Sequence, residues 1–182
     1  MAEPYNLKVK ICLVGDSAVG KTSLIRRYVM DIFDDRYIST LGTKVSKKRL
    51  IIRKPNADID LTFSIWDVLG QEDFPGVKTM AFKGSKGALL VCDLTRKDTL
   101  DHLLTWASRI KEVSGNIPMI LLGNKADLTS EYAYSEKEVQ EMSAQLDAPY
   151  FLTSARFGDN VIKTFFKMGE LVINQIFKEI QK

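Results

Sequence analysis

Between Gly15 and Thr22 the chain reads Gly-Asp-Ser-Ala-Val-Gly-Lys-Thr, a fit to the spacing G-x-x-x-x-G-K-[ST]. The apolar run Val9–Val14 leads straight into it, and Ser23–Val29 has the spacing of a helix leaving it. A buried strand that delivers the chain to a tight glycine loop, followed by a helix, concentrates backbone N–H groups and the positive helix end on one concavity, which suits phosphate oxygens. In that reading Gly15, Ser17, Ala18, Val19 and Gly20 form the cradle, with Lys21, Thr22 and Ser23 opening the helix. Lys21 would reach the outer phosphates and the Thr22 hydroxyl would ligate Mg²⁺. The bland alternative is an ordinary glycine-rich strand-to-helix turn, which the full spacing together with the flanking strand and helix makes the less favoured reading.

Other polar segments have the residue types such a phosphate site needs. Asp67 closes an alternating run, Ile59–Trp66, at the place where a phosphate-loop protein holds Mg²⁺ through an acid. Gly70 could bring an N–H to a terminal phosphate, and Gln71 could orient water. Thr40 in the preceding loop could add a hydroxyl to the metal, making that loop a sensor of the γ-phosphate. Asn124-Lys125-Ala126-Asp127 follows another apolar run. A carboxylate only accepts hydrogen bonds, so Asp127 can take N1–H and the 2-amino group of guanine as a pair. Adenine offers neither donor, and a polar site of this kind can discriminate by about 10⁴-fold.

These segments must be carried by a scaffold, and the patterning supplies one. The chain has 182 residues, 45% of them hydrophobic, which suits a single domain over residues 1–182. Its net charge of +3 is too mild to argue for nucleic acid. Cys12 and Cys92 lie inside apolar runs and read as buried free thiols, in keeping with a reducing compartment. No leader and no membrane-length apolar run is evident. Thr43–Arg53 and Ile59–Trp66, joined across Pro55–Asp58, read as a hairpin. The cations Lys44, Lys47, Lys48, Arg49, Arg53 and Lys54 mark the first of these as an edge strand, or else as a partner or anionic-lipid surface. Gly87–Cys92, Ile117–Leu122 and Pro149–Leu152 read as further strands. Helices are expected from Phe74 to Gly84, along Leu100–Ile110, from Ser135 to Gln145 with a capping box to Glu138, and from Asn160 to Ile180. His102, the only histidine, reads as solvated or structural and away from any polar cluster. Strands alternating with helices imply a mainly parallel α/β sheet with an antiparallel edge, its ligand beyond the carboxyl ends of the strands.

Taken together, Gly15–Thr22, Thr40, Trp66-Asp67 with Gly70-Gln71-Glu72, Asn124-Lys125-x-Asp127 and Ser154-Ala155-Arg156 resemble the five guanine-nucleotide motifs of Ras-superfamily small GTPases. The resemblance covers essentially the whole chain in the right order. It has a Rab flavour in Gly15-Asp16-Ser17, Ser39–Gly42 and Lys86–Thr95. It implies a P-loop NTPase fold with a six-stranded sheet covered by helices on both faces. It also implies that Phe33 packs on the guanine, Tyr37 lies over the phosphates, and Ser154 and Ala155, with Arg156 beside them, meet the base through the backbone. Lys21 and Gln71 become the catalytic pair, Thr22, Thr40 and Asp67 the Mg²⁺ ligands, and GTP/GDP with Mg²⁺ the cofactors.

The chain departs from the family pattern at three places. Val68-Leu69 stands where Thr-Ala is usual, which bears on the movement of the Gly70 N–H and so on hydrolysis or switching. Arg156 replaces a lysine, and the end Glu179–Lys182 has no cysteine for prenylation, leaving membrane attachment open. Arg36 lies one residue before the position, held by Tyr37, at which heterotrimeric α subunits carry an arginine, so slow unassisted turnover is expected. The resemblance implies effector, exchange-factor and GTPase-activating partners, and a monomer that is cytoplasmic or peripheral to a membrane. The alternatives are a GTP-binding scaffold that does not hydrolyse, and a phosphate-loop kinase or ATPase, which would have no use for Asp127.

Overall fold

The computed structural model describes residues 5–34, 43–55, 57–68 and 75–181. Along the chain run β1 (Tyr5–Val14), α1 (Lys21–Met30), β2 (Lys44–Lys54), β3 (Ala57–Asp67), α2 (Pro75–Phe82), β4 (Gly87–Asp93) and α3 (Lys97–Asp101). They continue as α4 (Leu103–Ser114), β5 (Met119–Asn124), α5 (Glu136–Leu146), β6 (Tyr150–Thr153) and α6 (Val161–Ile180). The sheet has the order β2-β3-β1-β4-β5-β6. β2 is antiparallel to β3 and every other pairing is parallel. β1 lies between β3 and β4, so the loop that follows it emerges where the connections turn from one half of the sheet to the other, the usual ligand crevice of such folds.

Alternation along β1 sends successive side chains into two separate cores. Ile11 and Leu13 pack with Leu24, Ile25 and Tyr28 of α1 and with Phe165, Met168 and Val172 of α6. Cys12 and Val14 pack on the opposite face with Phe82, Leu103, Trp106 and Met142. The Tyr28 and Phe165 rings stack at 3.9 Å and 3°, which locks α1 to α6. β4 and β5 are buried along their whole length, which explains their unbroken apolar sequence. α5 begins with the reciprocal Ser135–Glu138 capping box that its sequence announces.

β2 is an edge strand, as its lysines suggested. Several of those cations also have partners within the chain. Lys48 donates to Val29 O at 3.2 Å, Lys54 to Asn174 Oδ1 at 3.1 Å, and Arg49 pairs with Asp60. Three expectations shift. The helical stretch around Leu100–Ile110 is two helices meeting at His102, with Leu104 exposed rather than in the core. Hydrogen bonds from His102 N to Asp98 O and from Trp106 N to His102 O keep the two nearly continuous. The strand read as Ile117–Leu122 begins at Met119 and runs through Asn124.

Candidate functional site

Five strands deliver polar residues to the same edge of the sheet: Gly15 after β1, Asp67 closing β3, Asp93 closing β4, Asn124 closing β5 and Ser154 after β6. Backbone geometry dictates the glycines of the loop after β1. Gly15 has φ +142, and a Cβ there would fall 2.1 Å from the Val91 carbonyl oxygen. Gly20, at φ +103, would put one 2.2 Å from Asn124 Nδ2. Ala18 also holds a positive φ of 62, a conformation unfavourable for a side-chain-bearing residue and found where a loop is over-determined by its surroundings. α1 has Gly20 as its N-cap and no side-chain cap, so its first amides face the loop.

The buried Lys21 ammonium curls over this cradle, donating to Gly15 O at 2.8 Å and Asp16 O at 2.7 Å. The Thr22 hydroxyl donates to Asp67 Oδ2 at the wall of a cleft that Arg26 and Lys44 also line. The other carboxylate oxygen, Asp67 Oδ1, is buried with no hydrogen-bond partner among the described residues. Burial pushes the Asp67 carboxyl above its ordinary range, against the opposing pull of the Thr22 hydroxyl and the Lys21 charge. A buried, under-satisfied carboxylate oxygen beside a hydroxyl is a hard-oxygen donor set, and it fits Mg²⁺.

At the far end of the rim, the Asn124 side chain is consumed within the protein. Its Nδ2 donates to Val19 O at 2.9 Å and its Oδ1 accepts from Thr153 Oγ1 at 3.2 Å, so it braces the loop from the neighbouring strands. Asp127 accepts from Ser154 Oγ at 2.7 Å, and Ser154 Oγ in turn accepts from Phe157 N at 3.1 Å. Ala155 is buried, while Arg156 is exposed with its guanidinium over the Phe157 ring. Phe33 is half-buried and packs on the core shared by α1 and α6. Tyr37, Thr40, Gly70 and Gln71 lie outside the described residues, as do Arg36 and Leu69. Val68, the described half of the unusual Val68-Leu69 pair, is buried in the second core and donates its N–H to Leu13 O at 3.3 Å.

With this geometry in view, a family description, "Ras family", matches residues 10–174. The chain belongs to the Ras family. Its relatives include rat Ras-related protein Rab-27B, 31% identical over 186 residues that cover 98% of this chain and 85% of that protein. Ras-related protein Rab-3 of Caenorhabditis elegans is 30% identical, with 98% of this chain and 80% of that protein covered. Ras-related protein Rab-8B of Pongo abelii is 31% identical, with 99% and 86% covered. The resemblance to Ras-superfamily GTPases with a Rab character is therefore correct, and so is the mixed six-stranded sheet.

In this Ras-family chain the fold also recruits residues that the sequence did not single out. Asp93 is 1% exposed, and its carboxylate receives Lys125 Nζ at 2.6 Å, Arg96 Nε at 3.3 Å, and both the N–H and hydroxyl of Thr95. Burial pushes its carboxyl up, but the donors from Lys125 and Thr95 outweigh this and hold it below the ordinary aspartate value. Lys125, at the positive φ of 66, is thus pinned by its own ammonium, and Arg96 reaches past Asp93 to donate to Ser17 O at 2.7 Å. The signal that could have found Asp93 is the one used for Asp67, an acid closing a strand, here the apolar run Gly87–Cys92.

His102 is exposed, in keeping with a solvated residue, but the expectation that it lies away from any polar cluster is corrected. Its Nδ1 lies 2.5 Å from Asp16 Oδ2, and Trp106 Nε1 donates to Asp16 Oδ1 at 2.9 Å. The histidine therefore joins a polar cluster on the outer side of the glycine loop. The hydrogen bond it donates to the Asp16 carboxylate raises its pKa above the ordinary value, more than desolvation lowers it.

Proposed function

We propose that this protein is a guanine-nucleotide switch: it binds GTP with Mg²⁺ and hydrolyses it slowly to GDP and phosphate, each state engaging different partners. One observation carries the reading. Lys21, Thr22 and Asp67 meet at one end of the rim and the Asp127–Ser154 pair stands at the other, on a Ras-family frame. The N–H groups of Gly15, Ser17, Ala18, Val19 and Gly20 would cradle phosphates, and Lys21 would meet the charge that builds on the transferred phosphoryl oxygens. Thr22, Thr40 and Asp67 would hold Mg²⁺, which when bound neutralises phosphate charge. Gln71 orients the attacking water, whose oxygen bonds to the γ-phosphorus as the bond to the GDP oxygen breaks. Asp127 selects guanine over adenine, with Phe33, Tyr37, Ser154, Ala155 and Arg156 completing the nucleotide contacts. The chain acts as one G domain, monomeric, at the cytoplasmic periphery of a membrane or free of it. Exchange, activating and effector proteins set its state.

The test is the nucleotide found on the purified protein, followed by phosphate release from the parent and from Gln71→Leu. Bound GDP or GTP, with release slow in the parent and lower in the variant, supports the switch. Absence of guanine nucleotide binding in the presence of Mg²⁺ overturns it. A second reading, a GTP-binding scaffold that does not hydrolyse, is favoured by Val68-Leu69, because leucine beside the γ-phosphate is far larger than alanine. Equal and negligible release from both proteins selects it. Asp127→Asn should move preference from guanine toward xanthine nucleotides, and retained guanine selectivity would refute the base-recognition argument.

A further inference from the structure

We infer that Arg27, on α1, is a positioning residue for guanine recognition, acting through the loop after β6; the inference rests on the reading of that loop given under Proposed function. The guanidinium is held on three sides. Its Nε donates to Ala155 O at 2.8 Å, its Nη2 to Arg156 O at 2.5 Å, and its Nη1 to Asp31 Oδ1 at 2.9 Å. The Arg27 side chain is only 18% exposed while that of Asp31 is 89% exposed, so the inward contacts, not the ion pair, hold it in place. The loop closes against the stem of the same side chain: a Cβ on Gly158 would sit 3.6 Å from Arg27 Cδ.

The consequence is a chain of orientations that ends on the base-selecting carboxylate. A trans peptide points its carbonyl and the following N–H in opposite directions. Drawing Arg156 O toward Arg27 therefore turns the Phe157 N–H away from it, and that N–H lands on Ser154 Oγ at 3.1 Å. With this lone pair occupied, the Ser154 hydroxyl proton goes to Asp127 Oδ1 at 2.7 Å. The turn is closed by Gly158 N donating to Ser154 O at 2.7 Å and Ser154 N to Asp159 O at 3.2 Å. Arg27 itself lies on the helix whose first two residues are Lys21 and Thr22. One rigid helix thus carries the phosphate groups at its start and, less than two turns later, the residue that sets the attitude of Asp127. A planar fork that addresses two successive carbonyls is a task for arginine, and a lysine ammonium cannot reproduce it.

The experiment compares the parent with Arg27→Gln and Arg27→Lys, using GDP, IDP (which lacks the 2-amino group that Asp127 would accept from), ADP and inorganic pyrophosphate. Losing charge-assisted bonds to the loop should speed GDP dissociation by about 10-fold in Arg27→Gln and by less in Arg27→Lys. The preference for GDP over IDP should fall by about 5-fold or more in Arg27→Gln, and pyrophosphate affinity should stay within about 2-fold of the parent. Thermal unfolding of each variant separates a folding defect from a positioning one, and Arg27→Lys keeps the test alive if Arg27→Gln is too unstable to assay. An unchanged GDP-to-IDP ratio in both variants, or an equal loss of pyrophosphate binding, overturns the inference. A parent that does not prefer GDP to ADP overturns the underlying reading instead, and the inference with it.

Discussion

Replacing Asn124 by alanine tests whether the rim works as a braced unit. The side chain is 2% exposed and has two partners, Val19 O in the glycine loop and the Thr153 hydroxyl on β6. Val19 and Thr153 are themselves fully buried, so neither group can turn to solvent when its partner is removed. Leaving a buried polar group unpaired costs about 1–3 kcal/mol, which for two groups gives a loss of about 2–6 kcal/mol in folding stability. Because one of the two is a loop carbonyl, part of that loss should appear as weaker nucleotide binding, about 10- to 100-fold faster GDP release. Asn124→Asp should be worse than Asn124→Ala, since a buried carboxylate would then face the Val19 carbonyl. Urea unfolding at saturating Mg²⁺ and GDP measures the first quantity, and displacement of a fluorescent GDP analogue measures the second. If Asn124→Ala changes stability by less than about 0.5 kcal/mol and release by less than about 2-fold, the side chain is not the brace described here.

Two further outcomes are open to direct measurement. The folded-state pKa of His102 is raised by Asp16, with Asp98 and Asp101 adding to it. Its stabilising contribution is therefore complete below the unfolded value near 6.5 and is lost as pH rises through the folded value. The histidine is more than half exposed, so the effect should be about 0.5 kcal/mol between pH 6 and 8, absent in His102→Asn, and an equal pH slope in the two proteins would refute it. Burial pushes the Cys12 thiol up to about 11 and the Cys92 thiol up to about 12. Iodoacetamide at pH 8 should leave both unmodified in the folded protein and label both after unfolding, and rapid labelling of the native state would contradict their place in the second core.

What could be read early was whatever has a local cause. The glycine loop follows from its spacing, the buried strands from unbroken apolar runs, α5 from Ser135 and Glu138, and Asp67 from its place at a strand end. Arg27 carries no such mark, being one more polar residue on an amphipathic helix until its carbonyl partners, 128 and 129 positions away, are brought to it. His102 shows the same limit from the other side. Asp98 stands one helical turn before it in the sequence, but the partner that holds it, Asp16, is 86 residues distant.

The sequence by itself determined the class of sheet, the phosphate-type loop and the family, because strand and helix periods and the glycine spacing act over a few residues at a time. Only the tertiary structure decided which side chains brace the rim and its loops: Asn124 clamps the loop, Asp93 pins Lys125, and Arg27 holds the turn that reaches Asp127. The physical reason is that these partnerships are hydrogen bonds a few ångströms long between segments the chain brings together only by closing the sheet.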